Sequence, residues 1–313
     1  MITFIVRRLL TGLVLLAAIT TLGFTLLYLG GGDIARKILG ENADEQTVAL
    51  KAQELGLDRP VFAQYGDWVV NALGGDLGAS WFSGQPVAAA ILSRLAVTLS
   101  LVTGAVVLIA IISVTLGVLA ATKREWIDRV AQVIALLGFA IPNFLFAVAL
   151  VLLFALTLGW FDPTGYVQFT TSPSGWAKTV TLPVVALALG GIAAITQQVR
   201  GSVIDALRND YVRTLRSRGI PARRVILKHV LRNAAGPALA VLAVYFVGLM
   251  GGAVIVEQVF AIPGLGQVAV QATTQGDIPL VMGLLVATGI IVIVFNLLVD
   301  LAQGWLNPKV RLS

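Results

Sequence analysis

Six stretches without a charged residue divide the chain: 9–32, 95–122, 130–161, 179–199, 233–256 and 278–299. Each is apolar continuously, and each is longer than the roughly 20 residues a helix needs to cross a bilayer. A spanning segment must satisfy its own backbone hydrogen bonds, which favours helix. Barrel strands would instead show alternation over about 10 residues. The pattern predicts an all-α integral membrane protein with six transmembrane helices. A seventh charge-free stretch, 258–276, holds Pro263, Gly264, Gly266 and four glutamines. These residues break helices and favour water, so an outer loop with short re-entrant or interfacial pieces is expected there. Arg7 and Arg8 precede an apolar run from Leu9 to Leu29 that is longer than a signal-peptide core of about 7–15 residues. A retained first span is expected.

Between the first two spans the pattern changes to amphipathic. Asn42 with Glu45 three residues on predicts a capped helix start, and Gly56 a stop after Thr47–Leu55. Arg59-Pro60 opens a second helix whose Val61, Phe62, Tyr65, Trp68, Val69, Ala72 and Leu73 recur at three- and four-residue spacing. It is expected on the outer membrane surface or against the bundle, with Tyr65 and Trp68 suited to an interface. The chain thus divides into 1–94, the first span with its outer segment, and 95–313, a five-helix core.

Charge sets the orientation. With the N-terminus inside, the inner segments hold Arg7 and Arg8, Lys123, Arg124 and Arg129, nine basic residues from Arg200 to Arg232, and Lys309 and Arg311, 16 of the 22 lysines and arginines. The outer segments carry the other six, diluted by eight acids between Asp33 and Asp76. The positive-inside rule then places both termini in the cytoplasm. Charged residues are 12% of the chain, about half the share of a soluble domain, so its solvent is mostly lipid. The net charge of +6 reports topology and gives no argument for nucleic acid.

Candidate chemistry is sparse. There is no cysteine, the single histidine is His229 in an inner loop, and no His/Cys spacing suits a metal. No P-loop pattern is present, so the chain is no enzyme and binds no ATP by that motif. The middles of the spans lack the ionisable groups of an ion-coupled carrier, which counts against a self-contained secondary transporter. Pro142, within span 3 and followed by Asn143, is either a hinge or a tolerated kink. Span 4, starting near Pro183, offers Gly190-Gly191 for close packing and Gln197 and Gln198, which need partners from another helix or water. Span 5 ends in Glu257-Gln-Val-Phe260-Ala-Ile-Pro263-Gly264, where Pro-Gly predicts a tight turn with a positive φ open to the glycine. Glu257 meets a basic partner from another subunit or faces water. These residues are the candidate pathway or gate. On the inner side, Asp205–Arg218 reads as helix, Gly219 as its stop, and Pro221 as the first turn of a second helix running to about Asn233, before Gly236-Pro237. Its nine basic and two acidic residues satisfy the charge rule without any partner.

The residue order there says more than the charge. Asp210-Tyr-Val-Arg-Thr-Leu-Arg-Ser-Arg-Gly219 resembles the coupling loop of dipeptide and oligopeptide permeases of ABC importers, roughly D-Y-V-R-T-A-R-A-K-G, departing at Leu215, Ser217 and Arg218. Leu55-Gly-Leu-Asp-Arg-Pro60, Gln64-Tyr65, Gly75-Asp-Leu-Gly78, Pro86-Val87 and Thr98-Leu99 are similar to the N-terminal block of those permeases. The stretch Glu257–Gly266 matches their E-x-x-F-x-x-P-G-x-G, and the tail Asn307–Arg311 resembles their D-P-R-I-R. At Gly32-Asp33-Ile34 both prolines of the family's P-G-D-P are missing. The resemblance covers most of the chain. It implies a type I ABC importer permease of the bacterial plasma (inner) membrane, half of a pathway for di- or oligopeptides; related permeases serve nickel, glutathione and haem. It further implies a second homologous permease, two cytosolic ATP-binding subunits that hold ATP and magnesium, and an external solute-binding protein. Asp210, Tyr211, Arg213, Thr214, Leu215, Arg216, Gly219 and Pro221, within a loop at about 200–235, would dock in the ATPase.

Overall fold

The computed structural model describes all residues except Met1, Gly31–Asp33, Arg124–Glu125 and Asn307–Ser313. The Gly32-Asp33 turn, Arg124 and the tail Asn307–Arg311 therefore lie outside the described residues. In chain order the helices are α1 (Ile2–Gly30), α2 (Ile34–Leu39), α3 (Glu45–Glu54), α4 (Val61–Leu73), α5 (Val87–Lys123), α6 (Trp126–Ala140), α7 (Asn143–Leu150), α8 (Pro173–Arg208), α9 (Asp210–Ser217), α10 (Ala222–Arg224), α11 (Leu231–Val259), α12 (Leu265–Gln275) and α13 (Ile278–Leu306). Wider π-helical turns follow α7 (Val151–Thr157) and α10 (Val225–Val230).

Five of the expected spans are single helices long and apolar enough to cross a bilayer. The remaining one, span 3, is broken. Proline lacks an N–H and disfavours helix at the residue before it. Here α6 stops at Ala140, Pro142 is extended (φ −59°, ψ 135°), and α7 restarts at Asn143. The two other prolines read as boundaries do not act as such. Pro183 lies inside α8, which begins at Pro173 with the Ser172 hydroxyl accepting from Gly175 N at 3.1 Å, and Pro237 lies inside α11. Neighbouring helices in a membrane bundle make such interior prolines tolerable.

The chain forms two compact units. The first comprises Met1–Ile5, Leu99–Ile262 and Val294–Ser313. Its axis is α8, which α5, α6 and α11 approach through small residues. A Cβ on Gly104 would lie 2.9 Å from Val184, and one on Gly138 2.8 Å from Ala193. A Cβ on Gly117 would lie 2.7 Å from Val199 and 3.0 Å from the Thr196 carbonyl, while Gly190 and Gly191 are covered by Tyr245 of α11. Lipid offers no hydrophobic drive for helix association, so close backbone approach has to supply it.

The second unit comprises Val6–Thr98 and Pro263–Ile293. Val87, Ile91, Leu265, Val268 and Leu284 form one core cluster; Phe24, Ile34, Ile278 and Met282 form another, against which Tyr65, Trp68 and Trp81 pack. The cap of α3 is Asp44, not Asn42: its carboxylate accepts from Thr47 N at 3.2 Å and Thr47 Oγ1 at 2.5 Å. Those bonds hold the Asp44 carboxyl below its ordinary range, the hydroxyl contributing most. Gly56, at φ +70°, ends the helix as expected. Asp277 is buried at the head of α13 and accepts from Ser80 Oγ at 2.5 Å and Trp81 N at 3.2 Å, tying the 79–86 loop to that helix.

Candidate functional site

The inner segment is a helix–corner–helix, but its first helix is not continuous with Asp205. Asn209 is extended (ψ 147°) and separates α8 from α9. On α9, Val212 is buried, Tyr211 and Leu215 are half-buried, and Asp210, Arg213, Thr214 and Arg216 are exposed. The Tyr211 hydroxyl is enclosed and makes no hydrogen bond among the described residues. At the end of α9, Gly219 N donates to Arg216 O at 2.9 Å and Ile220 N to Leu215 O at 3.2 Å, with Gly219 at φ +77°. This is the Schellman closure, which needs a left-handed residue after the cap and favours apolar residues where Leu215 and Ile220 stand. Leucine at 215, the largest departure from the peptide-permease pattern, has a local reason. Pro221 then caps α10, its carbonyl accepting from Arg224 N at 2.9 Å. Gly219 is fully open: a Cβ there would meet nothing within 4 Å. Within this chain glycine is required by the bend alone, and the corner it makes points outward. The second helix continues through the π-helical turn into α11, past Asn233, without a break at Gly236-Pro237.

Two contacts tie this region to the bundle, and neither has a linear sequence signal. Arg200 on α8 donates from Nε to Asp128 Oδ1 at 2.5 Å and from Nη2 to Oδ2 at 2.8 Å, bracing α6 against α8. Arg232 donates from Nε to the Leu306 carbonyl at 3.0 Å, covering the C-terminal end of α13. In the sequence both arginines stand out only as topogenic charge. The Arg200 and Asp128 side chains are 25% and 15% exposed. Asp128→Ala therefore removes about 1–3 kcal/mol, less than a fully buried pair would lose. Arg200→Lys loses most of the same amount, because an ammonium cannot match the fork geometry. Thermal unfolding of both purified variants checks this; unchanged midpoints would show the brace carries no stability.

The pathway candidates separate into distinct environments. Asn143, at the start of α7, and Tyr245 on α11 converge over Gly190: a Cβ there would collide with the Tyr245 hydroxyl and sit 3.6 Å from Asn143 Oδ1. Tyr245 was not singled out from the sequence, where it is one aromatic in an apolar run. Pro142 is exposed beside this point. Gln197 and Gln198 are half-buried on α8, and Gln198 Nε2 donates to Ser202 Oγ at 3.2 Å, a partner on its own helix. Glu257 is fully buried, so it does not face water. Phe260 is buried and its carbonyl accepts from Gly165 N at 3.0 Å.

The tight turn expected at Pro263-Gly264 lies earlier. Ala261 N donates to Gln258 O and Ile262 N to Glu257 O, with Ala261 at φ +48°, the one non-glycine with positive φ among the described residues. Gly264 has φ −95° and caps α12, while Pro263 is exposed. The closure repeats that at Gly219 with alanine in the glycine position, at a steric cost of roughly 1–2 kcal/mol. Ala261→Gly is expected to stabilise by up to about 1 kcal/mol, since glycine's flexibility in the unfolded chain offsets part of the relief. Ala261→Val is expected to destabilise. A lower unfolding temperature for the glycine variant would contradict the assignment of strain.

Comparison with known proteins decides what this arrangement belongs to. Residues 113–312 match the model of the binding-protein-dependent transport system inner membrane component, and residues 1–102 match the N-terminal part of such a membrane component. The chain belongs to this family. It is the membrane-embedded, non-catalytic permease of a binding-protein-dependent ABC importer. Similar proteins include one of Brucella abortus (strain 2308) provisionally named a peptide transport system permease protein, 39% identical over 308 residues and 98% of each chain. A peptide ABC transporter permease of Sinorhizobium fredii, also provisionally named, is 35% identical over 98% of this chain and 99% of its own. The glutathione transport system permease protein GsiC of Escherichia coli (strain K12) is 34% identical over 99% of each chain. Permeases of this class work with ATP-hydrolysing subunits and a solute-binding protein.

Proposed function

We propose that this permease forms one half of the import pathway for short peptides, completed by a second homologous permease. Two cytosolic ATP-binding subunits, holding ATP and magnesium, grip the corner at Gly219. The observation that carries the reading is that corner: the short α9 and the helix that runs on into α11, closed by a hydrogen-bonded bend, with nothing within 4 Å of a Cβ placed at its glycine. A rigid corner passes a push from an ATPase cleft into α8 on one side and α11 on the other, whereas a floppy loop would absorb it. The broken span at Pro142 and the Asn143–Tyr245 polar spot beside α8 then stand where such a push would change the packing. In this reading both termini are cytoplasmic. Residues 1–94 supply the first span and the outer segment; residues 95–313 supply the core. Peptide as substrate follows the names of the Brucella and Sinorhizobium relatives. Glutathione, itself a tripeptide, is the second reading because of the Escherichia coli relative.

The test is purification from native membranes in mild detergent, with mass spectrometry of the co-purifying subunits and a ligand screen on the attached binding protein. Recovery of a second permease and P-loop ATPases, with a binding protein that selects di- or oligopeptides, supports the reading. A binding protein that takes glutathione alone would replace the substrate. Two copies of this chain without another permease would replace the assembly.

A further inference from the structure

Helix α4 carries more apolar surface than its own chain covers. On a helical wheel its side chains fall into three adjoining arcs. Val61, Tyr65 and Trp68 pack on the core cluster around Phe24 and Met282. Gln64, Asp67 and Asn71 form a polar arc, with Asp67 paired to Arg59 at 2.7 Å. Between them Phe62, Val70 and Leu73 are left 90%, 69% and 85% exposed. Of the apolar face expected from the sequence, Phe62 and Leu73 are therefore bare, and Val70 beside them widens the uncovered arc.

The depth of α4 is fixed by hydrogen bonds. Thr21 Oγ1 donates to the Tyr65 hydroxyl at 3.0 Å, and Thr20 Oγ1 lies 3.0 Å from the same oxygen. Those threonines sit eight or nine residues before Leu29, the end of the apolar span of α1. At 1.5 Å per residue the Tyr65 hydroxyl reaches about 12 Å below that end. A tyrosine side chain bridges part of that distance, which puts the α4 backbone within reach of the headgroup and acyl-chain boundary, where an interfacial helix buries its apolar side by about 5–10 Å. Along the same end of α1, Leu22, Leu26 and Leu29 are 64%, 68% and 77% exposed, a surface suited to acyl chains.

We propose that α4 is an interfacial helix. Phe62, Val70 and Leu73 insert among lipid acyl chains at the end of span 1 remote from the N-terminus, while Gln64, Asp67 and Asn71 face headgroups and water. Lipid is preferred to a protein partner because all three environments a lipid interface offers are matched in order around one helix: bundle, acyl chain and water. The consequence is that the segment between spans 1 and 2 is fixed at the membrane surface by its own chain, before any other subunit arrives.

The absence of cysteine makes the test direct. Nitroxide labels at Phe62→Cys, Leu73→Cys and Asn71→Cys are read in the whole transporter in liposomes, its partners freed of reactive cysteine. Collisions with oxygen and with a neutral nickel chelate are compared. Oxygen is expected to dominate at 62 and 73, and the chelate at 71. Low collision with both probes at 62 and 73 would mean that protein covers the arc, and chelate dominance there would mean that water does. Either result overturns the proposal and leaves the import reading untouched.

Discussion

Gly219→Val is expected to cut coupled transport at least tenfold while the permease still inserts and folds. The residue stands at φ +77°, where a β-branched side chain is excluded and even an unbranched one costs roughly 1–2 kcal/mol. The corner is exposed, so the fold does not depend on it, but the bonds from Gly219 to Arg216 and from Ile220 to Leu215 do. Losing them turns the corner into a flexible loop, and a loss of about 1.4 kcal/mol in docking already lowers affinity tenfold. The expected result is at least a tenfold fall in uptake and in substrate-stimulated ATP hydrolysis, at normal membrane levels of the chain. Gly219→Asn separates bend from bulk. Asparagine tolerates the left-handed conformation, and in this chain its side chain would enter open space. Recovery in the asparagine variant means that only the bend matters. Loss in both means that the ATPase approaches the glycine closely. Uptake like the unmodified protein in Gly219→Val would remove the corner from the coupling mechanism.

Gly117→Leu is expected to prevent assembly of the helix bundle. A Cβ at this position would lie 2.8 Å from Val199 Cβ and 3.0 Å from the Thr196 carbonyl, so backbone as well as side chain stands in the way. Overpacking a tight core costs about 1–3 kcal/mol; here the leucine must part α5 from α8, and the upper end of that range applies. The matched control is Gly201→Ala on α8, where a Cβ meets nothing within 4 Å. Alanine in a helix gains up to about 1 kcal/mol over glycine, so that variant should be at least as stable. Size-exclusion profiles and unfolding temperatures in detergent decide the matter. Equal behaviour of the two variants would show that the α5–α8 contact does not hold the bundle.

Both predictions rest on glycines, yet they were unequally visible from the sequence. Gly219 stands between two polar, helix-forming stretches and before Pro221, so a stop and a restart could be read locally. Gly117 lies within an uninterrupted apolar run, where nothing marks it apart from its neighbours; only the position of Val199 across the interface gives it a role. Tyr245, Asp128 and Arg200 were missed for the same reason, since each takes its meaning from a residue on another helix. The prolines show the converse. Pro142 breaks its helix, while Pro183 and Pro237 do not, and nothing in the local sequence separates the three.

The sequence by itself determined the membrane environment, the number of spans, the amphipathic segment after the first of them and the glycine-bent corner. Each follows from local quantities: run length against bilayer thickness, helical periodicity, and the backbone freedom of one residue. Tertiary structure alone decided that α8 is the axis of its unit, that Glu257 is enclosed, that the strained residue is Ala261 and not Gly264, and that Phe62, Val70 and Leu73 of α4 are bare. These are relations between residues distant along the chain. They depend on which side chains come within a few ångströms across helix interfaces, a distance that no window of sequence contains.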